Sequence, residues 1–255
     1  MRVVVKIGTS TLVHSTGNLN VRMFERVCKV ISDVKNAGHE VILVTSGAIS
    51  LGRSKLQLKE RPEDIPTKQA AAAVGQCELM YFYDKLLSEY SHKVAQILVT
   101  AEDLKEGQRL TNFTNTISRL LELGALPIIN ENDTVSTAEI SVSDNDTLSA
   151  LVMVAARADL LVLFSDIDGL YTADPHLDKR AKLLTVVDKI TPEIERSAGL
   201  PISGLGTGGM YTKIRAAKIC MEAHRDMVIT NGEHPENLFD IISGKQIGTR
   251  FIGVK

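Results

Sequence analysis

The sequence predicts a three-layer α/β/α sandwich around an open, mainly parallel central sheet, with residues 1–255 forming a single domain. Three observations carry that prediction. Short runs rich in Val, Ile and Leu are continuous rather than alternating, as in strands covered on both faces. Helical patterns stand between successive runs, which calls for crossover connections and hence parallel pairing. No internal repeat, low-complexity tract or linker marks a boundary at which a second domain would begin.

RVVVKI (2–7) is the first strand. In the following VRMFERVCKVISDVKNAG, Val21, Phe24, Val27, Cys28, Ile31 and Val34 recur at steps of three and four, and Gly38 stops the helix. VILVT (41–45) is the second strand. The Ala-rich KQAAAAVGQCELMYFYDKLL (68–87) crosses over to VAQILVT (94–100), and TISRLLELG (116–124) to LPIIN (126–130). LVMVAARADL, apolar at helical spacing, precedes the strand LLVLFS (160–165). DGLYTADP (168–175) has turn chemistry and predicts a small hairpin, and MVIT (227–230) is a further strand.

Composition narrows the function. A hydrophobic content of 44% with 24% charged residues is ordinary for a globular protein. The formal charge of −2 gives no reason to expect nucleic acid or an anionic membrane as partner. Trp is absent and aromatics are only 4%, which leaves little surface for stacking bases. No apolar run is long enough to span a bilayer, and MRVVVKIGTS lacks the pattern of a signal peptide. The three cysteines (Cys28, Cys77 and Cys220) lie in apolar helical stretches and read as small buried hydrophobes, and the six histidines show no metal-ligand spacing. These features predict a cytoplasmic protein without structural metal or disulfide.

Parallel sheets place ligands beyond the carboxyl ends of their strands. KIGTS, TSGAISLG, NENDTV and the pair Ser165–Asp166 all stand at such exits. In KIGTS, Lys6 has the reach for phosphate oxygens and Gly8 lets a ligand approach the backbone. In TSGAISLG, Ser46 and Gly47 open a helix whose first N–H groups suit an anion. SDNDTLSA sets Asp144, Asn145 and Asp146 where a helix begins; the plain reading is a helix cap. SGLGTGGMYTKIRAAKICMEA contains a formal GxGxxG at Gly204, Gly206 and Gly209, but no clear strand precedes it, so the dinucleotide reading fails. What remains is a glycine-rich loop opening a helix, with Lys213 near its start. No His or Cys lies in these motifs, so a nucleophile with its base is not on offer. Two lysines with ordering aspartates suit phosphoryl transfer, which relies on positioning and positive charge.

Taken in order, VVKIGTS, VTSGAISLG, INENDTV, SDNDTLSALV, DGLYTADP and SGLGTGGMYTK resemble the amino acid kinase family along essentially the whole chain. The family fold agrees with the sandwich read above. Within the family, the resemblance implies transfer of the ATP γ-phosphoryl group to the side-chain carboxylate of L-glutamate. It implies that Lys6 and Lys213 stabilise the phosphoryl group in flight, that Asp146 orients both lysines, and that Asp144 supports the same network. Ser46, Gly47, Asn130, Asp133 and Asn145 match glutamate-binding positions. Lys6, Gly8, Ser165, Asp166, Thr207, Gly208, Gly209, Met210, Tyr211, Thr212 and Lys213 match nucleotide-binding positions. Mg²⁺ is implied as the counter-ion of ATP, held mostly by phosphates and water.

Proline as feedback inhibitor and a homo-oligomer are further implications; contact with glutamyl phosphate reductase is raised by the resemblance but not by any residue. Many relatives carry a C-terminal PUA domain, and the kinase domain is expected to end with GTRFIGVK, so nothing belonging to a PUA domain is carried over. Ser165 stands where Thr is common, a change that keeps the hydroxyl. The rival readings are a related kinase acting on N-acetylglutamate or aspartate, and a non-catalytic sensor on the same scaffold. Asp133 speaks for a substrate with a free ammonium, which N-acetylglutamate lacks. Lys6, Asp146 and Lys213 speak for catalysis, since a sensor needs no groups aimed at a transition state.

Overall fold

The computed structural model describes residues 1–135, 144–175, 177–198 and 209–253. In chain order the elements are β1 (Arg2–Ile7), α1 (Thr9–Leu12), α2 (Val21–Asn36), β2 (Glu40–Val44), α3 (Ala48–Lys55), α4 (Ile65–Ser88), β3 (Val94–Val99), α5 (Gln108–Glu122) and β4 (Leu126–Glu131). There follow α6 (Asn145–Ala155), β5 (Leu160–Ser165), β6 (Leu170–Tyr171), β7 (Leu183–Leu184), β8 (Val186–Val187), α7 (Pro192–Ser197), α8 (Met210–Glu222), β9 (Asp226–Asn231), α9 (Asn237–Ile242) and β10 (Thr249–Phe251). A 3₁₀ turn, Ala101–Leu104, follows β3.

Eight strands form one sheet in the order β3-β4-β2-β1-β5-β9-β10-β8. The first six of these pair in parallel; β10 runs antiparallel to β9, and β8 is parallel to β10. Alternation along each strand feeds two cores. Val4, Ile42, Ile129 and Leu161 pack on one side with residues of α5, α6 and α8. Val3, Val41, Ile128 and Val162 pack on the other with residues of α2 and α4. Because both faces are covered, neither set of positions is polar, which is why the strands read as continuous apolar runs.

All six predicted strands form, within one residue at each end. The differences lie elsewhere. Helix α5 begins at Gln108, eight residues before the predicted start; the apolar pattern misses this first part since QRLTNFTN offers only Phe113 as a buried anchor. The hairpin has its first arm in DGLYTADP, but the partner is Leu183–Leu184, well beyond that stretch. Strands β8 and β10 are two and three residues long, too short to show a period. Cys28 and Cys220 are buried as expected, but Cys77 is exposed, on the outer face of α4. Val21 likewise faces solvent at the start of α2. Among the described residues, no helix is long and apolar enough to cross a membrane.

Candidate functional site

The cleft is assembled from strand exits and helix starts. Asp144 is the N-cap of α6, its Oδ1 accepting from Thr147 N at 3.1 Å and its Oδ2 from the Thr147 hydroxyl. The plain capping reading therefore holds for Asp144, whose carboxylate is committed to Thr147. The next two side chains are placed in the first turn and are almost fully enclosed, Asn145 at 6% and Asp146 at 2% exposure.

Asp146 joins the two lysines. Alternation on β1 puts Lys6 on the same face as Val4, under α6, and its Nζ lies 2.6 Å from Asp146 Oδ1. Lys213 comes from the opening turns of α8, with Nζ 3.1 Å from Asp146 Oδ2. Thr212 Oγ lies 2.8 Å from that same oxygen and 2.8 Å from Gly209 O, so one hydroxyl proton serves two acceptors. Burial alone would raise the Asp146 pKa, but Lys6 and Lys213 overcome it and hold the carboxyl at about 2. The helix N-terminus favours the same charge.

Asn145 organises the other side. Its Nδ2 approaches Thr45 O at 2.7 Å, Ser46 Oγ at 2.8 Å and Asn130 Oδ1 at 3.0 Å, three acceptors for two hydrogens. Asn130 in turn donates to Gln76 Oε1 at 2.8 Å. These contacts tie the exits of β2 and β4 to the start of α6. Gly47 turns the chain from β2 into α3 at φ +102°, where a side chain would be strained and a Cβ would lie 3.2 Å from Val13 Cγ2. Beyond Asn130, burial pushes Asp133 up to about 6, and burial also raises Asp144. At the end of β5, Ser165 Oγ donates to Asp166 Oδ1 at 3.0 Å.

A cleft of about 620 Å³ gathers most of the predicted residues. Lys6, Gly8, Asp146, Lys213, Ser165 and Asp166 line it, together with Ser46, Gly47, Asn130, Asp133, Asp144 and Asn145. Four predicted nucleotide positions do not. Gly209 caps α8, Thr212 acts through Asp146, Met210 packs against the core, and Tyr211 is 44% exposed. Thr207 and Gly208 lie outside the described residues, as do Gly204 and Gly206. Sequence reasoning missed Arg53 and Arg61, which add positive charge to the lining, and Gln76 and Thr45, which hold the amides. Gln76 had a signal: it is a polar residue within an Ala-rich buried helix face.

The comparisons with known proteins concern the family and the fold. A sequence model of the amino acid kinase family matches residues 1–231. The chain is 50% identical to a glutamate 5-kinase of Clostridium perfringens, an alignment spanning all of this chain and 96% of that protein. It is 52% identical to a glutamate 5-kinase of Clostridium acetobutylicum over 98% of this chain and 94% of the relative. A longer glutamate 5-kinase, from Thermoanaerobacter sp., is 48% identical and 68% covered. Among solved structures, a carbamate kinase from Giardia lamblia superposes with a TM-score of 0.70 at 17% identity, covering 99% of this chain and 98% of that one. An isopentenyl phosphate kinase from T. acidophilum gives 0.66 at 20% identity, covering 98% and 100%. At such identities the likeness concerns the fold.

Proposed function

The chain belongs to the amino acid kinase family, and from that premise we propose that it transfers the γ-phosphoryl group of ATP to the γ-carboxylate of L-glutamate, giving L-glutamyl 5-phosphate. One observation carries the chemistry: a single buried carboxylate, Asp146, draws Lys6 and Lys213 to its two oxygens. Two cations held this way need no reorganisation when charge develops on a phosphoryl group between them. The choice of glutamate is supported by relatives about half identical over nearly their whole length.

In this reading a γ-carboxylate oxygen attacks the γ-phosphorus while the bond to the β,γ-bridging oxygen breaks, and ADP leaves with that electron pair. No general base is required, because a glutamate side chain with a pKa of about 4.3 is ionised at neutral pH. The lysines bind the equatorial oxygens, and Asn145 with Ser46 and Asn130 positions the amino acid. Mg²⁺ enters as the counter-ion of ATP, carried by phosphates and water.

Hydroxylamine converts acyl phosphates to hydroxamates and so tests the proposal. With ATP and Mg²⁺, hydroxamate is expected from glutamate and not from N-acetylglutamate or aspartate. Product from either of the others in preference would reassign the substrate. No product from any of the three would overturn catalysis in favour of a sensor.

A further inference from the structure

The cleft extends past the residues used so far. Next to Ser46 and Gly47 it continues as a lobe between α3 and the segment that joins α1 to α2, lined by Val13, His14, Gly17, Ser50, Arg53 and Arg61. The walls of this lobe are fixed to each other. Residues 13–19 form a narrow turn, with Val13 bridging Leu19 and His14 N donating to Asn18 O at 2.8 Å. Ser54 Oγ, on α3, donates to Asn18 Oδ1 at 2.6 Å and so holds the turn against the helix. Gly17 lies at the same contact, where a Cβ would stand 3.6 Å from Ser50 O.

Arg53 is held as well. On α3 it shares a face with Ser50, three residues earlier, and helical side chains lean toward the helix start. Its Nη2 donates to Lys59 O at 3.2 Å, and its Nε lies 3.4 Å from Leu58 O. These contacts use two of the five guanidinium N–H groups and tie Arg53 to the segment that carries Arg61. Three donors remain for the lobe.

The cleft's lysines and arginines fall into two groups. Lys6 and Lys213 are both drawn to Asp146. Neither Arg53 nor Arg61 has a carboxylate partner among the described residues, although both line the same cleft. Two guanidinium groups facing one lobe without a counter-charge call for an anion, and their planar donors suit a carboxylate best. The position of the lobe narrows the choice. It opens off the β2 exit, two strands from Ser165 and Asp166 at the β5 exit. In the proposed reaction the nucleotide phosphates lie over the lysines. Glutamate then brings three charged groups: its γ-carboxylate meets Lys6 and Lys213, its ammonium meets Asp133, and its α-carboxylate is left without a cation.

We propose that Arg53 and Arg61 bind the α-carboxylate of the amino-acid substrate and so select an α-amino acid over an amine that carries only the distal carboxylate. This rests on the proposed function, since it takes glutamate as the occupant of the cleft.

γ-Aminobutyrate is glutamate without the α-carboxylate, and its competition with glutamate in the hydroxamate assay tests the assignment. For the wild type, the inhibition constant of γ-aminobutyrate is expected to exceed the glutamate KM by roughly 10- to 150-fold, as for loss of one charged hydrogen-bond partner. Arg53→Gln and Arg61→Gln should each raise the glutamate KM about tenfold or more, while the γ-aminobutyrate constant and the ATP KM stay within about a factor of two. A merely structural role would weaken both amino compounds alike. Arg61→Lys, which keeps the charge but not the fork, should recover part of the loss. Equal affinity of the wild type for the two compounds would overturn recognition of the α-carboxylate. An unchanged ratio in both variants would overturn its assignment to these arginines, and a change in one variant alone would remove the other residue. If Arg53→Gln fails to fold, Arg61→Gln decides, since Arg61 is exposed. Hydroxamate from glutamate with an unchanged ratio removes this inference and leaves the reaction. No hydroxamate from glutamate removes the reaction, and calorimetric binding of the two compounds to the same proteins then decides the inference by itself.

Discussion

Asp146 accepts from Lys6, Lys213 and Thr212 together, so Asp146→Asn keeps its shape but leaves two buried ammonium groups without their counter-charge. We expect kcat to fall on the order of a hundredfold or more, with the fold retained at neutral pH. Lys6→Met and Lys213→Met should each cost about 3 kcal/mol of transition-state stabilisation, visible in kcat rather than in KM, by steady-state kinetics on proteins of unchanged circular dichroism. Asp144→Asn should be milder, because Asn caps a helix about as well as Asp; equal losses at 144 and 146 would contradict the division between cap and anchor. The pH effects have opposite signs at two carboxylates. Asp146 is depressed from 3.8 to about 2, so its contribution is present above its unfolded value and is lost as pH falls toward about 2. Glu131 is raised from 4.5 to about 7, so its contribution is present at acid pH and is lost as pH rises through about 7. Glu131→Gln should then equal the wild type in stability near pH 4 and exceed it at pH 8, by up to roughly 3 kcal/mol, in urea melts at both pH values. The cap at Asp144 was legible because capping chemistry is local, whereas the place of Asp146 between the lysines came only with the family resemblance. The shift at Glu131 was not legible, since it comes from burial that no spacing reveals and then from nearby carboxylates, Asp133 first.

At the scale of elements, the position of Ser46 and Gly47 depends on how closely α3 lies on α4. A Cβ at Gly75 of α4 would stand 1.8 Å from Ala48 O, and one at Gly52 of α3 would stand 1.7 Å from Ala71 O. The helices therefore touch backbone to backbone, and neither site can accept a methyl without moving α3. Gly75→Ala should destabilise the protein by about 1–3 kcal/mol or more through overpacking. Because α3 starts immediately after Gly47, the same change should raise the glutamate KM well before it affects the ATP KM. Thermal melting and kinetics with each substrate varied separately check this; an unchanged melting temperature would mean that α3 can shift freely. The sequence showed that α4 was helical and Ala-rich, but nothing in it marked Gly75. Only the crossing of two helices explains it. The long central strands were legible because burial on both faces leaves one consistent signal. Helices α7 and α9, and the short strands β8 and β10, were not, since six residues offer too few turns and two or three offer no period at all.

Across the whole molecule, strand order arranges the cleft along one axis. β4, β2, β1 and β5 are successive neighbours, so their exits carry Asn130 with Asp133, then Ser46, then Lys6, then Ser165 with Asp166. At about 4.8 Å per strand this row spans roughly 14 Å, with carboxylates at the β4 end and the two lysines toward the middle. In the reaction proposed above, that gradient would orient glutamate with its ammonium toward Asp133 and its side-chain carboxylate toward Lys6 and Lys213. This order was invisible in the sequence, which named the exits but not their sequence across the sheet. Removing the charge at the β4 end should cost binding without touching the nucleotide. Asp133→Asn and Asp133→Ala are expected to raise the glutamate KM roughly 10- to 150-fold, the equivalent of about 1.5–3 kcal/mol for one charge-assisted hydrogen bond, and to leave the ATP KM within a factor of about two. If Asp133 served only to shape the turn before Thr134, Asn would replace it with little effect, and an unchanged glutamate KM in both variants would remove it from the substrate site. The axis also makes the gradient a test of length. Aspartate is one methylene shorter, so with its ammonium on Asp133 its carboxylate stops short of the lysines by more than 1 Å, a gap that costs orders of magnitude in an in-line transfer. Competition kinetics should therefore show aspartate as a weak competitor for glutamate that yields no hydroxamate, whereas N-acetylglutamate, with no charge for Asp133, should not compete at all.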